Sequence, residues 1–179
     1  MKFWIAIAKT IDNANEYVGR AVLWLVGAAT LISALNALAR YGLGRSSNAW
    51  LEIQWYLFAA IVMLGASYTL RMNEHVRVDI VYTHLSERGK EWLDLIGTAV
   101  FLVPSMLVIA WESLPFFLTS WQIQEMSGNA GGLLRWPVRL LIPVGFTLLL
   151  LQMVSELIKR IAVMRGLIPD PYAGKGGSH

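Results

Sequence analysis

The chain has 179 residues, of which 56% are hydrophobic and 15% are charged, and its mean hydropathy is +0.51. A soluble domain carries about 25% charged residues, so this composition indicates a surface that faces lipid. Because the chain contains no cysteine, disulfides, thiolate metal sites and thiol redox chemistry are excluded. The net charge of +3 comes from basic residues in short clusters between apolar runs, which favours the anionic cytoplasmic leaflet over nucleic acid as a partner.

The N-terminal segment is predicted to form an amphipathic helix over residues 2–19. At the periodicity of an α-helix, its apolar side chains gather on one face and its charged side chains on the other. Such a helix lies on the membrane surface or bends into the first span, and the apolar run from Phe3 to Ala8 is too short for a signal peptide. The apolar face consists of Phe3, Trp4, Ile7, Ile11, Ala14 and Val18.

Four apolar stretches are long enough to cross a bilayer, at about residues 21–39, 53–70, 92–118 and 137–164. A helix rises about 1.5 Å per residue, and the hydrocarbon core of a bilayer is about 30 Å thick. Each stretch must be helical, because an isolated strand in lipid would leave its backbone groups unpaired. The sequence therefore predicts an all-α integral membrane protein with four transmembrane helices.

The N-terminal helix and the four spans form a single predicted membrane domain, residues 1–168. Residues 169–179 are rich in glycine and proline, and we expect them to be a disordered tail. Two prolines, Pro104 and Pro143, lie inside the third and fourth spans, where they predict kinks.

Basic residues are distributed unevenly between the two sides of the predicted bundle. The N-terminal segment, the second loop and the C-terminal segment share one side and carry 11 lysines and arginines, whereas the first and third loops carry 4. By the positive-inside rule, both termini are predicted to lie in the cytoplasm.

The sequence offers no set of residues for cofactor or metal chemistry inside the spans. Its histidines, His75, His84 and His179, all lie outside the spans, so a haem held within the bundle is not expected. On a helix His75 and Asp79 would share a face, but a metal site needs more ligands than this pair. We therefore expect no cofactor and no catalytic centre.

A few carboxylates near the span ends are the remaining candidates for function. Glu52 opens the second span, where an ion pair with the arginines that precede it, or a contact with a partner, is favoured over catalysis. Glu112 in the third span is expected to be solvated or paired, with a cation site as the sharper alternative. Asp94 and Glu156 fall near the cytoplasmic interface and are predicted to pair with nearby lysines or arginines.

Residues 36–80 carry a pattern in which order and spacing agree with the predicted topology. This stretch resembles the small membrane subunit of tripartite ATP-independent periplasmic (TRAP) transporters. Residues 129–137 and Gln152 resemble the branch that handles organic acids such as 2-oxo acids. The matching positions are Asn36, Arg40, Tyr41, Trp50, Glu52, Leu64, Gly65, Ala66, His75, Val76, Val78 and Asp79.

The resemblance implies a non-catalytic subunit of the bacterial inner membrane. In such transporters a large membrane subunit holds the substrate and Na⁺ sites and moves elevator-fashion, while a periplasmic binding protein delivers the solute. The small subunit is then a lipid-anchored scaffold for the large one, and its periplasmic loops are expected to touch the binding protein.

The positions expected to make structural or subunit contacts are Asn36, Arg40, Tyr41, Trp50, Glu52, Gly65, Ala66, His75 and Asp79. Small residues let membrane helices approach closely, so further helix contacts are predicted at Gly27, Ala28 and Gly97. The alternative is a self-sufficient small channel or transporter that acts as a homo-oligomer through Glu112 or Glu52. A membrane-bound enzyme is a third possibility, which would require a bound cofactor or metal.

Overall fold

The computed structural model describes residues 1–44, 47–72 and 85–169, and these are helical apart from short connections. Four of the helical segments are long and apolar enough to cross a membrane, as the sequence predicts. Within the described ranges no strand is formed, and the single β-bridge joins Met126 to Leu134. The helices are α1 (Lys2–Gly42), α2 (Asn48–Arg71), α3 (Glu87–Ile96), a π-helical turn (Gly97–Leu102), α4 (Val103–Gln122) and α5 (Trp136–Met164).

Helix α1 is uninterrupted over its 41 residues, so the predicted surface helix 2–19 and the predicted first span 21–39 are one helix. At about 1.5 Å per residue it is roughly 60 Å long, about twice the thickness of the hydrocarbon core. No proline interrupts it, and Arg20 bonds to Glu16 one turn earlier, across the predicted boundary, at 2.9 Å between Nε and Oε1.

The apolar face predicted for the first half of α1 is distinct from the face by which α1 packs on the other helices. Phe3 and Trp4 point outwards and are 70% and 53% exposed. The buried positions recur about every seven residues, which is the spacing of a helix seam. They are Ala8, Asn15, Gly19, Val22, Ala29 and Asn36. Small and polar residues thus face the other helices, and the large apolar ones face outwards.

Helix α5 lies at the centre of the bundle and contacts α1, α2 and α4. Helices α1, α2 and α5 also pack against one another, whereas the third span, Arg88–Gln122, packs mainly on α5. Two glycines mark the closest approaches to α2. Gly145 of α5 is buried against Met63, and Gly19 of α1 is buried against the ring of Tyr68. A β-carbon at Gly145 would lie 2.7 Å from the carbonyl oxygen of Met63.

The small-residue contacts predicted from the sequence are only partly found. A β-carbon at Gly65 would meet Val22 of α1 at 3.6 Å, so this position lies at a helix contact. No described atom lies within 4 Å of a β-carbon built at Gly27 or Gly97, and the prediction is wrong for both as regards contacts within the described chain. The seam of α1 runs through Val22 and Ala29, which leaves Gly27 facing outwards.

The third span accommodates Pro104 through a change in helix type. Pro104 has no backbone N–H and would clash with the carbonyl of the residue four positions earlier in a regular α-helix. Directly before it, residues Gly97–Leu102 are π-helical, and the N–H of Val103 donates to the carbonyl of Thr98. A π-turn makes room for such a residue without ending the helix. Helix α5 likewise continues through the buried Pro143.

Candidate functional site

The third loop folds back over the start of α2 and is held there by one carboxylate. Glu52 is only 3% exposed and accepts three hydrogen bonds from this loop. The backbone N–H of Leu133 donates at 2.6 Å, the Nδ2 of Asn129 donates at 2.9 Å, and the hydroxyl of Ser127 donates as well. We call Glu52, Ser127, Asn129 and Leu133 the loop anchor.

Two further side chains of α2 bind the same loop through its backbone. The hydroxyl of Tyr56 donates to the carbonyl of Leu134 at 2.8 Å, and the Nδ2 of Asn48 donates to the carbonyl of Ala130 at 3.0 Å. Asn48, Glu52 and Tyr56 follow one another at intervals of four residues, so they share one face of the helix. A single face of α2 therefore fixes the conformation of the third loop.

Charged and aromatic side chains join the loop to the helices that flank it. The Nη2 of Arg139 in α5 donates to the Oε1 of Glu125 at 2.7 Å, and its guanidinium lies 4.1 Å from the ring centre of Phe116. Trp121 and Trp136 meet edge-to-face with ring centres 4.4 Å apart. Tryptophan, tyrosine and arginine are typical of the boundary between hydrocarbon and headgroups, so this end of the bundle is built as an interface.

A second polar cluster lies at the opposite end of the bundle, between α1 and α5. Gln152 accepts from the Nδ2 of Asn15 at 2.7 Å, and its Nε2 donates to Asp12 and Glu156, each at 2.9 Å. The ammonium of Lys159 joins the same two carboxylates, at 3.0 Å from Asp12 and 2.6 Å from Glu156. Asn15 and Gln152 are fully buried. We call these five residues, with Ser155, the terminal-end network.

Ion pairs extend this network to every span. Arg71 of α2 pairs with Glu16 of α1, and Arg160 of α5 pairs with Asp94 of α3 at 2.6 Å. The predicted pairing of Asp94 and Glu156 with basic residues is thus confirmed, since Glu156 bonds to the lysine of the network. All four spans are therefore tied together at the end of the bundle where α1 begins and α5 ends.

The residues singled out in the sequence are dispersed over the structure. Asn36 is buried on the seam of α1, whereas Arg40 and Tyr41 are exposed near the end of that helix. Trp50 is exposed two residues before the buried Glu52. Glu52 accepts three hydrogen bonds from the third loop. Arg45, one of the two arginines expected to pair with it, lies outside the described residues.

The remaining candidates lie elsewhere. Gly65 and Ala66 line a groove between α1 and α2. Glu112 is exposed on the third span. His75 and Asp79 lie outside the described residues. Within the described ranges, no group of three or more histidine or acidic side chains is placed to hold a metal ion.

A family model described as "Tripartite ATP-independent periplasmic transporters, DctQ component" matches residues 29–163, from the middle of α1 to the end of α5. The chain belongs to the DctQ family. The resemblance to the small membrane subunit of TRAP transporters is thereby confirmed, and the DctQ match includes both the loop anchor and the part of the terminal-end network that α5 contributes.

Two curated proteins support the same assignment. The chain is 28% identical to a Haemophilus influenzae protein named as a TRAP transporter small permease protein, over 128 residues that cover 72% of this chain and 78% of that protein. It is 27% identical to the C4-dicarboxylate TRAP transporter small permease protein DctQ of Vibrio cholerae, over 116 residues that cover 63% of this chain and 48% of that protein. No solved structure matches the chain.

Proposed function

We propose that this DctQ-family chain is the non-catalytic scaffold of a TRAP transporter. It supports a large elevator-type membrane subunit during Na⁺-coupled uptake of an organic acid that a periplasmic binding protein delivers. Both termini lie in the cytoplasm, and the third loop lies on the periplasmic side. The name of the Vibrio cholerae relative, a C4-dicarboxylate TRAP small permease, supports an organic acid as the substrate class.

The observation that carries the scaffold proposal is the use made of the buried polar side chains. Glu52 fixes the third loop, and Gln152 and Asp12 join α1 to α5. A substrate or ion path through this chain would need polar groups that are free to exchange partners. Here the polar side chains instead cross-link the bundle at both ends, as a static frame requires.

The third span supplies the surface on which the large subunit is proposed to pack. It contacts mainly α5, and no residue of its most apolar 18-residue window is buried within the chain. By comparison, 33% of the corresponding window of the fourth span is buried. A span with so little contact in its own subunit faces either lipid or a partner, and close packing is what holds membrane helices together.

Glu112 favours the second candidate, a self-sufficient transporter, because an exposed carboxylate on a membrane span often marks an ion path. The two functions separate in a Glu112→Gln variant of the whole transporter. If the chain is a scaffold, the transporter keeps most of its solute uptake in this variant, because the carboxylate of Glu112 takes no part in transport. Loss of uptake while the two membrane subunits still co-purify would contradict the scaffold.

A further inference from the structure

An apolar groove of about 390 Å³ lies between α1 and α2 on the outside of the bundle. It exists because Gly65 and Ala66 of α2 have little or no side chain where α1 passes. Leu23 and Val62, which form its walls, are 67% and 64% exposed, so the groove opens away from the protein. In a membrane, this volume is filled either by lipid or by another protein.

The end of the groove that lies towards the start of α1 and the end of α2 is charged. Beyond Gly19 and Tyr68, the ion pair between Glu16 and Arg71 bridges the two helices. Arg20 bonds to the same Glu16 through its Nε, yet its side chain remains 69% exposed. Arg20 precedes the wall residue Leu23 by three positions and so lies on the same face, one turn further out. The guanidinium of Arg20 therefore presents an exposed positive charge beside the groove.

We propose that the groove binds one phospholipid, with an acyl chain against Gly65 and Ala66 and the anionic phosphate at Arg20. The proposal rests on the arrangement of the groove and Arg20. The apolar groove is followed along α1 by an exposed cation, in the same order as the acyl tail and the phosphate of a phospholipid. Arginine matches phosphate geometry well, and basic residues at a membrane surface attract anionic lipids.

A transmembrane helix of the large subunit fits this groove less well. A helix with its side chains is about 10–12 Å in diameter, so it could place only side chains in the groove. It would also bring the exposed Arg20 no phosphate. An acyl chain is thin and flexible enough to follow the groove along its length.

The test uses the complete chain purified together with its large membrane subunit. Native mass spectrometry follows the binding of dioleoyl phosphatidylglycerol and, separately, of dioleoylglycerol, which has the same tails but no phosphate. Gly65→Leu fills the groove and should remove one saturable phosphatidylglycerol from the complex. Arg20→Gln should weaken the binding of phosphatidylglycerol about fivefold, the effect of one basic residue near an anionic surface, and leave dioleoylglycerol unchanged.

The chain offers a matched control for each variant. Gly27→Leu adds the same side chain to an exposed position of α1 where a β-carbon meets no described atom, and Arg40→Gln removes an exposed arginine at the other end of that helix. Both should bind lipid as the unmodified complex does. Equal binding by all four variants would overturn the proposal. So would a Gly65→Leu variant that keeps its lipid but no longer assembles, since the groove would then be a subunit interface.

Discussion

Glu52 is a charged residue buried at the end of a membrane helix, and its partners lie 75 to 81 residues further along the chain. A buried carboxylate is tolerated only where hydrogen bonds replace the water that it loses. Its three donors all belong to the third loop, and two of them come from Ser127 and Asn129. The residue therefore orders the loop and makes no ion pair of its own with α1 in the described structure.

Replacing Glu52 by alanine is expected to release the third loop without unfolding the bundle. Because the chain has no cysteine, a single Gly128→Cys substitution provides a spin-label site within that loop. The label should become several times more mobile in Glu52→Ala, since the loop loses three hydrogen bonds. Glu112→Ala serves as the control, because Glu112 is exposed and far from the loop anchor. Unchanged mobility in Glu52→Ala would show that other contacts hold the loop.

Gln152 makes three hydrogen bonds to neighbouring polar side chains, and its loss is predicted to weaken the contact between α1 and α5. Gln152→Leu leaves Asp12 and Glu156 without an amide donor. Two of its hydrogen bonds, those with Asn15 and Asp12, cross to α1. At about 0.6 kcal/mol for an average hydrogen bond between membrane helices, the free energy of unfolding should fall by roughly 1 kcal/mol. Unfolding in detergent, followed by circular dichroism, measures this difference.

The matched control for this prediction is Gln54→Leu in α2. The Nε2 of Gln54 is buried with no hydrogen-bond partner among the described residues. Removing an unsatisfied amide is expected to leave the stability unchanged or to raise it. Equal losses in the two variants would mean that the hydrogen bonds of Gln152 contribute nothing specific.

At the residue scale, the sequence predicted several of the polar residues that make structural contacts. It predicted the partners of these residues less well. Glu52 was recognisable from the family pattern, and the pairing of Glu156 followed from Lys159 nearby in the chain. Asp94 instead pairs with Arg160, 66 residues further along. The partners of Glu52 depend on the conformation of a loop, and one of them is a backbone N–H. No periodic pattern encodes such a contact, so it emerges only in the structure.

At the scale of elements, the packing of α5 against α2 depends on Gly145. A β-carbon there would lie 2.7 Å from a carbonyl oxygen of Met63, and backbone cannot move as a flexible side chain can. Gly145→Ala should therefore lower the free energy of unfolding by about 1–3 kcal/mol, as overpacking does in other proteins. Thermal unfolding of the purified chain measures the effect.

Gly27→Ala is the control for this substitution, because it makes the same change where a β-carbon meets no described atom. Alanine favours a helix over glycine, so this variant should be as stable as the unmodified chain or more so. If both substitutions cost the same, the contact with Met63 would not explain the loss at Gly145.

Helix number and approximate span position could be predicted from hydropathy, because each span must hold its own backbone hydrogen bonds in lipid. The sequence did not show which side of each helix packs inside the bundle. Phe3 and Trp4, on the apolar face predicted to lie on the membrane, face outwards. In lipid, large apolar residues gain nothing by turning inwards, so small and polar residues such as Ala8 and Asn15 form the seam.

At the scale of the whole molecule, the proposed orientation is open to direct measurement in the cysteine-free chain. Single cysteines at Gly128, in the third loop, and at the exposed Lys2 report on the two ends of the bundle. A membrane-impermeant maleimide should label Gly128→Cys in intact cells and Lys2→Cys only after the inner membrane is opened, because basic residues remain in the cytoplasm. The reverse pattern would contradict the proposed orientation of both termini.

The scaffold itself is tested most directly by reconstituting the transporter in liposomes with a Na⁺ gradient. The assay measures uptake of the organic acid that the binding protein binds, with this chain, the large membrane subunit and the binding protein all present, and then with each one left out. The account predicts a stable complex of the two membrane chains, uptake only when all three proteins are present, and no solute movement by this chain alone. Uptake by this chain without the large subunit would contradict the account and make Glu112 the first residue to study.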